Sequence, residues 1–338
     1  MRRPLARTLT ALAAAALLLP LAGCGSDDPA GLVIYSGRNE NLVKPLIDKL
    51  EKHLGTTVEV RYGDSAELSA QLLEEGDKTE AGLFLSQDAG ALGALSKEQR
   101  LAPLPQATLD KVARAYRGSA GDWTGVSGRV RVLGYDPAQV PTPPNSVHEL
   151  VKPEWKGRIG FVPTNASFQA FVTGMRVLEG DAAARTWLTG LKANEPKAYE
   201  NNLKVLEAVD RGEVSLGLLN HYYWYEQAAE KGEDKLKARI HYLPKGDPGG
   251  LVNVAGVGVL KGADEKQAAF ARKAVDYLLS AESQEYFAQE TKEYPLAAGV
   301  RTADGVPPLE TLQPPKIDLG RLDSLKQTLA MLQDVGLV

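Results

Sequence analysis

Short apolar runs alternate along most of this chain with longer stretches whose apolar residues recur at helical spacing, and no other feature restricts its fold as much. Leu32-Val33-Ile34-Tyr35 reads as a buried strand. Asn39 to Leu54 then carries Leu42, Leu46, Ile47, Leu50 and Leu54 at helical spacing, with Pro45 inside as a start or a kink. Thr57 to Tyr62 alternates as a strand, Ser65 is suited to N-cap a helix ending at Glu75, and Ala81 to Ser86 is a third strand before a helix from Ala89 to Lys97. Strands alternating with helices call for an α/β fold with a mostly parallel, doubly wound sheet.

A second set follows a looser stretch. Strands are expected at Arg129 to Tyr135, Ile159 to Val162, Ser215 to Leu219 and Leu251 to Val259. Helices are expected at Ser167 to Glu179, Ala182 to Lys192, from Asn202, at Glu265 to Leu279, at Ser283 to Glu290 and at Leu322 to Leu332. A body this long exceeds a comfortable single core. The expected architecture is therefore two lobes around a hinged cleft: residues 32–130 plus 253–303, and residues 131–252 plus 304–338. The strands Arg129 to Tyr135 and Leu251 to Val259 are long enough to begin in one lobe and end in the other. Hinge closure around a ligand is an established behaviour of such folds.

The N-terminus carries an address. Arg2, Arg3 and Arg7 precede nine residues, Ala11 to Leu19, that are all Ala or Leu, and Leu21-Ala22-Gly23-Cys24 follows. A basic start, a short apolar core and small residues at a cut site describe an export signal over residues 1–23. The apolar run is too short to span a bilayer. Cys24 is the sole cysteine, so no internal disulfide forms. The tetrad is similar to a bacterial lipobox, which implies lipidation of Cys24, a tether over residues 24–31 and anchorage to the outer face of the cytoplasmic membrane. Loss of residues 1–23 removes three arginines and no acid, taking the net charge from −4 to −7. That balance argues against a nucleic-acid partner.

Aromatics make up 7% of the chain, yet four of the six residues in Asn220-His221-Tyr222-Tyr223-Trp224-Tyr225 are aromatic. The stretch follows an apolar run and leads into a helical pattern, and open α/β sheets place ligands at such strand ends. Two adjacent phenols there suit a hard, highly charged metal ion; an aromatic helix start packed into a core is the competing reading.

Several motifs, in this order, carry a resemblance. They are Tyr35-Ser36-Gly37-Arg38-Asn39, Leu73 to Thr79, Trp123 to Arg129, Trp155 to Gly160, Asn220 to Tyr225, and Glu293-Tyr294-Pro295-Leu296. Nearly the whole body resembles the ferric-iron-binding receptors of bacterial ABC importers, the bacterial transferrins. The resemblance implies a non-enzymatic, monomeric receptor with Tyr222 and Tyr223 as iron ligands and an ABC permease as partner. Many members of the family have histidine at the position of Asn39 and glutamate at that of Gln87, and a further branch adds a tyrosine where Phe168 stands. An octahedral ion wants about six donors, so oxygens from carbonate, phosphate or a carboxylate chelator must complete the set. Arg38 and Arg129 suit such an oxyanion as bidentate forks. Asn165, Ser167, Asn202 and Asn220 are candidate hydrogen-bond donors, and Asp88 is either an extra ligand or a helix cap.

Two other functions compete. A receptor for an organic anion, polyamine or thiamine-like ligand would use the tyrosines and Trp224 for stacking. An exported metal-dependent hydrolase would need a histidine and carboxylate cluster. His53, His148 and His241 are scattered without ligand spacing, and no Gly-x-Ser-x-Gly element occurs.

Overall fold

The computed structural model describes residues 31–338, so the export signal, Cys24 and all of the expected tether except Gly31 lie outside the described residues. Its strands, in chain order, are β1 (Leu32–Ser36), β2 (Val58–Tyr62), β3 (Leu83–Ser86), β4 (Trp123–Tyr135) and β5 (Ile159–Phe161). They continue with β6 (Lys197–Ala198), β7 (Leu216–Asn220), β8 (Arg239–His241), β9 (Val252–Val259) and β10 (Tyr294–Pro295). The main path runs β2-β1-β3-β9-β4-β7-β5-β6, with β8 and β10 pairing on β4.

The two ends of this path are parallel, as the alternation of strands and helices requires: β1 with β2 and β3, and β5 with β6 and β7. The middle is not. Every pair that includes β4 or β9 is antiparallel, which corrects the expectation of a mostly parallel sheet. The reason is that β4 and β9 carry the chain between the lobes in opposite directions. β4 is thirteen residues long, not the seven expected. Its first part was hidden by small residues, which the packing demands. A Cβ at Gly125 would lie 2.7 Å from both Leu296 Cδ1 and the Tyr116 carbonyl oxygen.

β4 changes partners midway. Trp123 to Val130 pairs with β9, whereas Arg131 to Tyr135 pairs with β7. The cores divide accordingly. One apolar cluster gathers around Leu32, Ile34, Leu46, Leu50, Phe84 and Val257, and another around Phe161, Phe168, Phe171, Trp187, Leu188 and Leu216. The C-terminal segment touches both: Leu319 and Leu322 join the first cluster, and Met331 and Leu332 the second. Residues 304–338 therefore do not pack on one lobe alone.

Local chemistry explains the helices. Glu40–Leu54 runs through Pro45, buries Val43, Leu46, Ile47 and Leu50, and stops at Gly55, whose φ of 63° is left-handed. The next helix, Ser65–Glu75, is capped by Asp64, not by Ser65 as expected. Asp64 Oδ1 accepts from the Ala66 amide at 2.8 Å, and the Ser65 hydroxyl instead accepts from the Gln87 amide at 2.9 Å. Ser65 thus ties two loops that lead to the cleft. Among the described residues, no helix is long and apolar enough to cross a membrane.

Candidate functional site

The site is organised by β4. Arg129 and Arg131 are two residues apart on it and so share a face. Antiparallel pairing sets Asn253 of β9 opposite Arg129 and Asn220 of β7 opposite Arg131. Both arginines are almost fully buried, at 3% and 4% exposure. Arg131 donates from Nη1 to the Ser167 hydroxyl at 3.1 Å, and its guanidinium carbon lies 5.7 and 5.5 Å from the Phe168 and Phe171 rings. Its Nε and Nη2 have no partner among the described residues. Arg129 donates from Nη2 to the Gln87 carbonyl, while its Nε and Nη1 have no partner among the described residues. Burial pushes both guanidiniums down, Arg131 to about 9 against the opposing pull of Tyr223 and Tyr222. Arg131 therefore stays charged at neutral pH, and the unpartnered donors of both arginines are a costly arrangement that an oxyanion would relieve.

On the first lobe, Arg38 meets Glu293. Its Nη2 lies 3.0 Å from each carboxylate oxygen, in a pair that is almost fully shielded from water. Ser127 donates to the same carboxylate at 2.6 Å. Burial alone would raise Glu293, but Arg38, Arg129 and Ser127 outweigh it and hold the carboxyl below its usual range. Arg38 therefore spends its charge on Glu293, with Nη1 at 3.4 Å from Gln87 Oε1 and only Nε left over. It is a poorer oxyanion fork than the sequence suggests. The Asp88 carboxyl accepts from the Ala91 amide at 3.1 Å and so caps the helix Ala89–Lys97; burial pushes it up. Asn39, at the start of Glu40–Leu54, is exposed and its side chain makes no capping bond.

The opposite wall comes from the second lobe. β7 ends at Asn220 and the helix Tyr222–Lys231 begins at the tyrosine pair. The two rings stack at 4.3 Å with 29° between their planes. Tyr222 is 7% exposed and Tyr223 is half-buried. Burial, helped by Tyr223, pushes the Tyr222 phenol well above its ordinary value, against Arg129. His221 fixes this turn to β4: its amide donates to the Val130 carbonyl at 3.0 Å, and its Nδ1 accepts from the Val130 amide at 3.3 Å. Tyr225 points away, donating to the Gly305 carbonyl at 3.1 Å.

The helix Ala166–Glu179 enters at the same place. Asn165 caps it, accepting from the Ser167 amide at 3.0 Å and the Ser167 hydroxyl at 2.5 Å. Asn202 opens the helix Asn202–Asp210, is 2% exposed, and has no partner for Nδ2. Phe168, in contrast, is sealed in the core against Phe161 and Phe171. Among the described residues, no group of three or more His, Cys, Asp or Glu side chains could hold a metal ion. With the carboxylates of Glu293 and Asp88 taken up by an ion pair and a helix cap, the hard oxygen donors left at this site are the two phenols, with amides and guanidiniums beside them.

Residues 79–318 match the family model of the bacterial extracellular solute-binding proteins. The chain belongs to that family. This solute-binding protein is 34% identical over 331 residues to the Fe(3+)-binding periplasmic protein of Serratia marcescens, covering 97% of each chain. It is 32% identical over 312 residues to the major ferric iron-binding protein of Neisseria meningitidis serogroup B, covering 91% of this chain and 93% of that one. Its fold matches the crystal structure of iron-bound HitA from Pseudomonas aeruginosa with a TM-score of 0.83 and 35% identity, over 90% of this chain and 99% of that one.

Sequence reasoning gave no site role to three polar residues beside the arginine cluster of this solute-binding protein: Arg131, Asn253 and Glu293, the last named only within a motif. A signal existed for the first. Two arginines at a spacing of two, within an otherwise apolar strand, must face the same side of a buried sheet. Asn253 and Glu293 become visible only once β9 and β10 are paired with β4.

Proposed function

We propose that this solute-binding protein captures ferric iron on Tyr222 and Tyr223, with an oxyanion held by Arg129, Arg131, Ser167 and the amides of Asn202 and Asn220. One observation carries the reading: two stacked phenols lie within electrostatic reach of two buried guanidiniums, each of which keeps donors without a partner among the described residues. The relatives named for ferric iron support it.

The energetics separate iron from weaker cargo. At pH 7 an ordinary phenol is ionised about one part in a thousand, so holding each tyrosine as phenolate costs about 4 kcal/mol. Burial of Tyr222 adds to that cost. A trivalent cation offsets it through metal–oxygen bonds; a neutral ligand does not. The cluster around it holds three guanidiniums, Arg38, Arg129 and Arg131, of which Arg38 alone forms an ion pair among the described residues, with Glu293. Iron would add further positive charge, so the cargo enters with a counter-anion: carbonate, phosphate or a carboxylate chelator.

In the cell, the protein is lipidated at Cys24, held at the outer face of the cytoplasmic membrane as a monomer, and delivers its cargo to an ABC permease without catalysis. Closure occurs where β4 and β9 pass between the lobes, residues 32–130 plus 253–303 and residues 131–252, with residues 304–338 packed on both. The test is a titration of the mature protein with ferric citrate. A tyrosinate-to-iron band saturating at one iron per chain, and absent in Tyr222→Phe and Tyr223→Phe, is expected. Saturation at the same level in both variants would defeat the reading.

A further inference from the structure

We propose that His221 is the positioning residue that couples the two halves of the site, so that an oxyanion on the arginines strengthens iron binding at the tyrosines. The inference rests on the ferric reading and concerns the regulation of that same site. The sheet poses a problem at this point. Arg131 of β4 pairs with Asn220 of β7, so antiparallel register sets Val130 against His221 as the next pair. An unbroken ladder would give the Val130 amide the His221 carbonyl. The chain turns into a helix here instead. His221 has φ −56° and ψ −42°, and its carbonyl accepts from the Trp224 amide at 3.1 Å.

The imidazole supplies the missing rung. The His221 amide still donates to the Val130 carbonyl at 3.0 Å, and Nδ1 takes the Val130 amide at 3.3 Å. Accepting there fixes the neutral tautomer, with the ring proton on Nε2. Val130 is 2% exposed and His221 fully buried, so water does not replace this acceptor. Three contacts then place the ring between the two halves of the site. Val130 stands between Arg129 and Arg131, where β4 exchanges β9 for β7. Tyr222 is the next residue in the chain, and its ring meets the imidazole edge-on at 5.9 Å. The imidazole also stacks at 4.7 Å on Tyr294 of β10, which follows Glu293, the partner of Arg38. An anion on the arginines completes the oxygens around iron only if the phenols keep a fixed separation from the guanidiniums. His221 sets that separation. β4 is held on its other edge by β9, where the Arg131 amide donates to the Leu251 carbonyl at 3.2 Å. Loss of the imidazole acceptor therefore frees the tyrosine turn and leaves the arginines in place.

The experiment measures the coupling on the mature protein, with inorganic phosphate as the anion. Calorimetry reads phosphate binding without iron, and absorbance reads the phosphate needed for half of the tyrosinate-to-iron band. Phosphate is expected to bind the parent about tenfold tighter with iron than without, the size of an ordinary coupling between two sites. His221→Phe keeps a ring on Tyr294 but removes the acceptor, whereas His221→Asn loses the ring but sets Oδ1 where Nδ1 stands. In His221→Phe the coupling is expected to vanish, with phosphate binding to the iron-free protein unchanged; His221→Asn is expected to retain it. A parent without coupling, or full coupling in His221→Phe, would overturn the proposal. So would equal loss in both variants, which would make ring packing the cause, or a parallel fall of iron-free phosphate binding in His221→Phe, the mark of general disruption. Should His221→Phe fail to fold, His221→Ala, which lacks both ring and acceptor, takes its place against His221→Asn. Failure of the ferric reading looks different: the parent itself would show no band at any phosphate concentration.

Discussion

The tyrosine turn at the end of β7 and the arginines carried mid-strand by β4 are two walls of one site that hold opposite chemistry. The wall led by Tyr222 and Tyr223 offers oxygen atoms that must lose protons before they can bind. The neighbouring cluster of Arg38, Arg129 and Arg131 offers fixed positive charge, of which only Arg38 is neutralised by a direct ion pair among the described residues. Two glutamates show how far the environments differ. Glu293 is buried among arginines and is held below its usual range, whereas burial beside Glu293, only partly offset by Lys292, pushes Glu226, on the tyrosine helix, up to about 7. The same side chain is thus held as an anion in one place and shares a proton near pH 7 in the other. Each wall alone is an incomplete site, so cargo that carries both a cation and an anion is the natural partner of both.

The comparison can be broken from either side. Removing both phenols in a Tyr222→Phe, Tyr223→Phe double variant has the largest expected effect: iron binding falls below detection while phosphate binding to the arginine side persists, measurable by calorimetry. Glu293→Ala comes next. Breaking a buried ion pair by deleting one partner costs about 3–5 kcal/mol, so the variant should unfold at markedly lower urea concentration. Arg131→Met should lower iron affinity about 10- to 100-fold in phosphate buffer, as expected for a lost charge-assisted contact of about 1.5–3 kcal/mol. Thermal stability should stay close to that of the parent.

The smallest effect sharpens the contrast between the glutamates. Glu226 has a folded-state value raised to about 7 from 4.5, so the folded protein holds its proton more tightly than the unfolded chain. That contribution to stability is present at pH 4.5 and is lost as pH rises through 7. Glu226→Gln should therefore melt about 2–4 °C above the parent at pH 8, and at the same temperature near pH 4.5. An equal difference at both pH values would mean that the carboxyl is not buried as described.

Much of this arrangement is legible in the residues. The alternation of strand and helix patterns marks two α/β lobes, and Tyr222 does stand where β7 gives way to a helix. The antiparallel middle of the sheet is not legible, because pairing between residues as distant as Arg129 and Asn253 leaves no local trace. The first half of β4 is hidden for a related reason: Gly125, Ser127 and Gly128 have weak strand propensity and are selected by the close approach of β9 and β10. The pairing of Arg38 with Glu293, 255 residues apart, turns a candidate anion fork into a structural ion pair. Asp64 and Ser65 show the finest limit, since two adjacent cap-forming residues cannot be ranked without knowing that the Gln87 amide needs Ser65.

The central claim is that the phenol wall holds iron only when the arginine wall holds an oxyanion. The most direct test is to titrate ferric iron, delivered as a weak and exchangeable complex in anion-depleted buffer, while recording the visible spectrum, and then to add bicarbonate, phosphate or citrate. The account predicts little tyrosinate-to-iron band before the anion and a band saturating at one iron per chain after it, with Arg131→Met needing far more anion to reach saturation. A full band without added anion, or saturation in Arg131→Met at the same anion concentration as the parent, would contradict it.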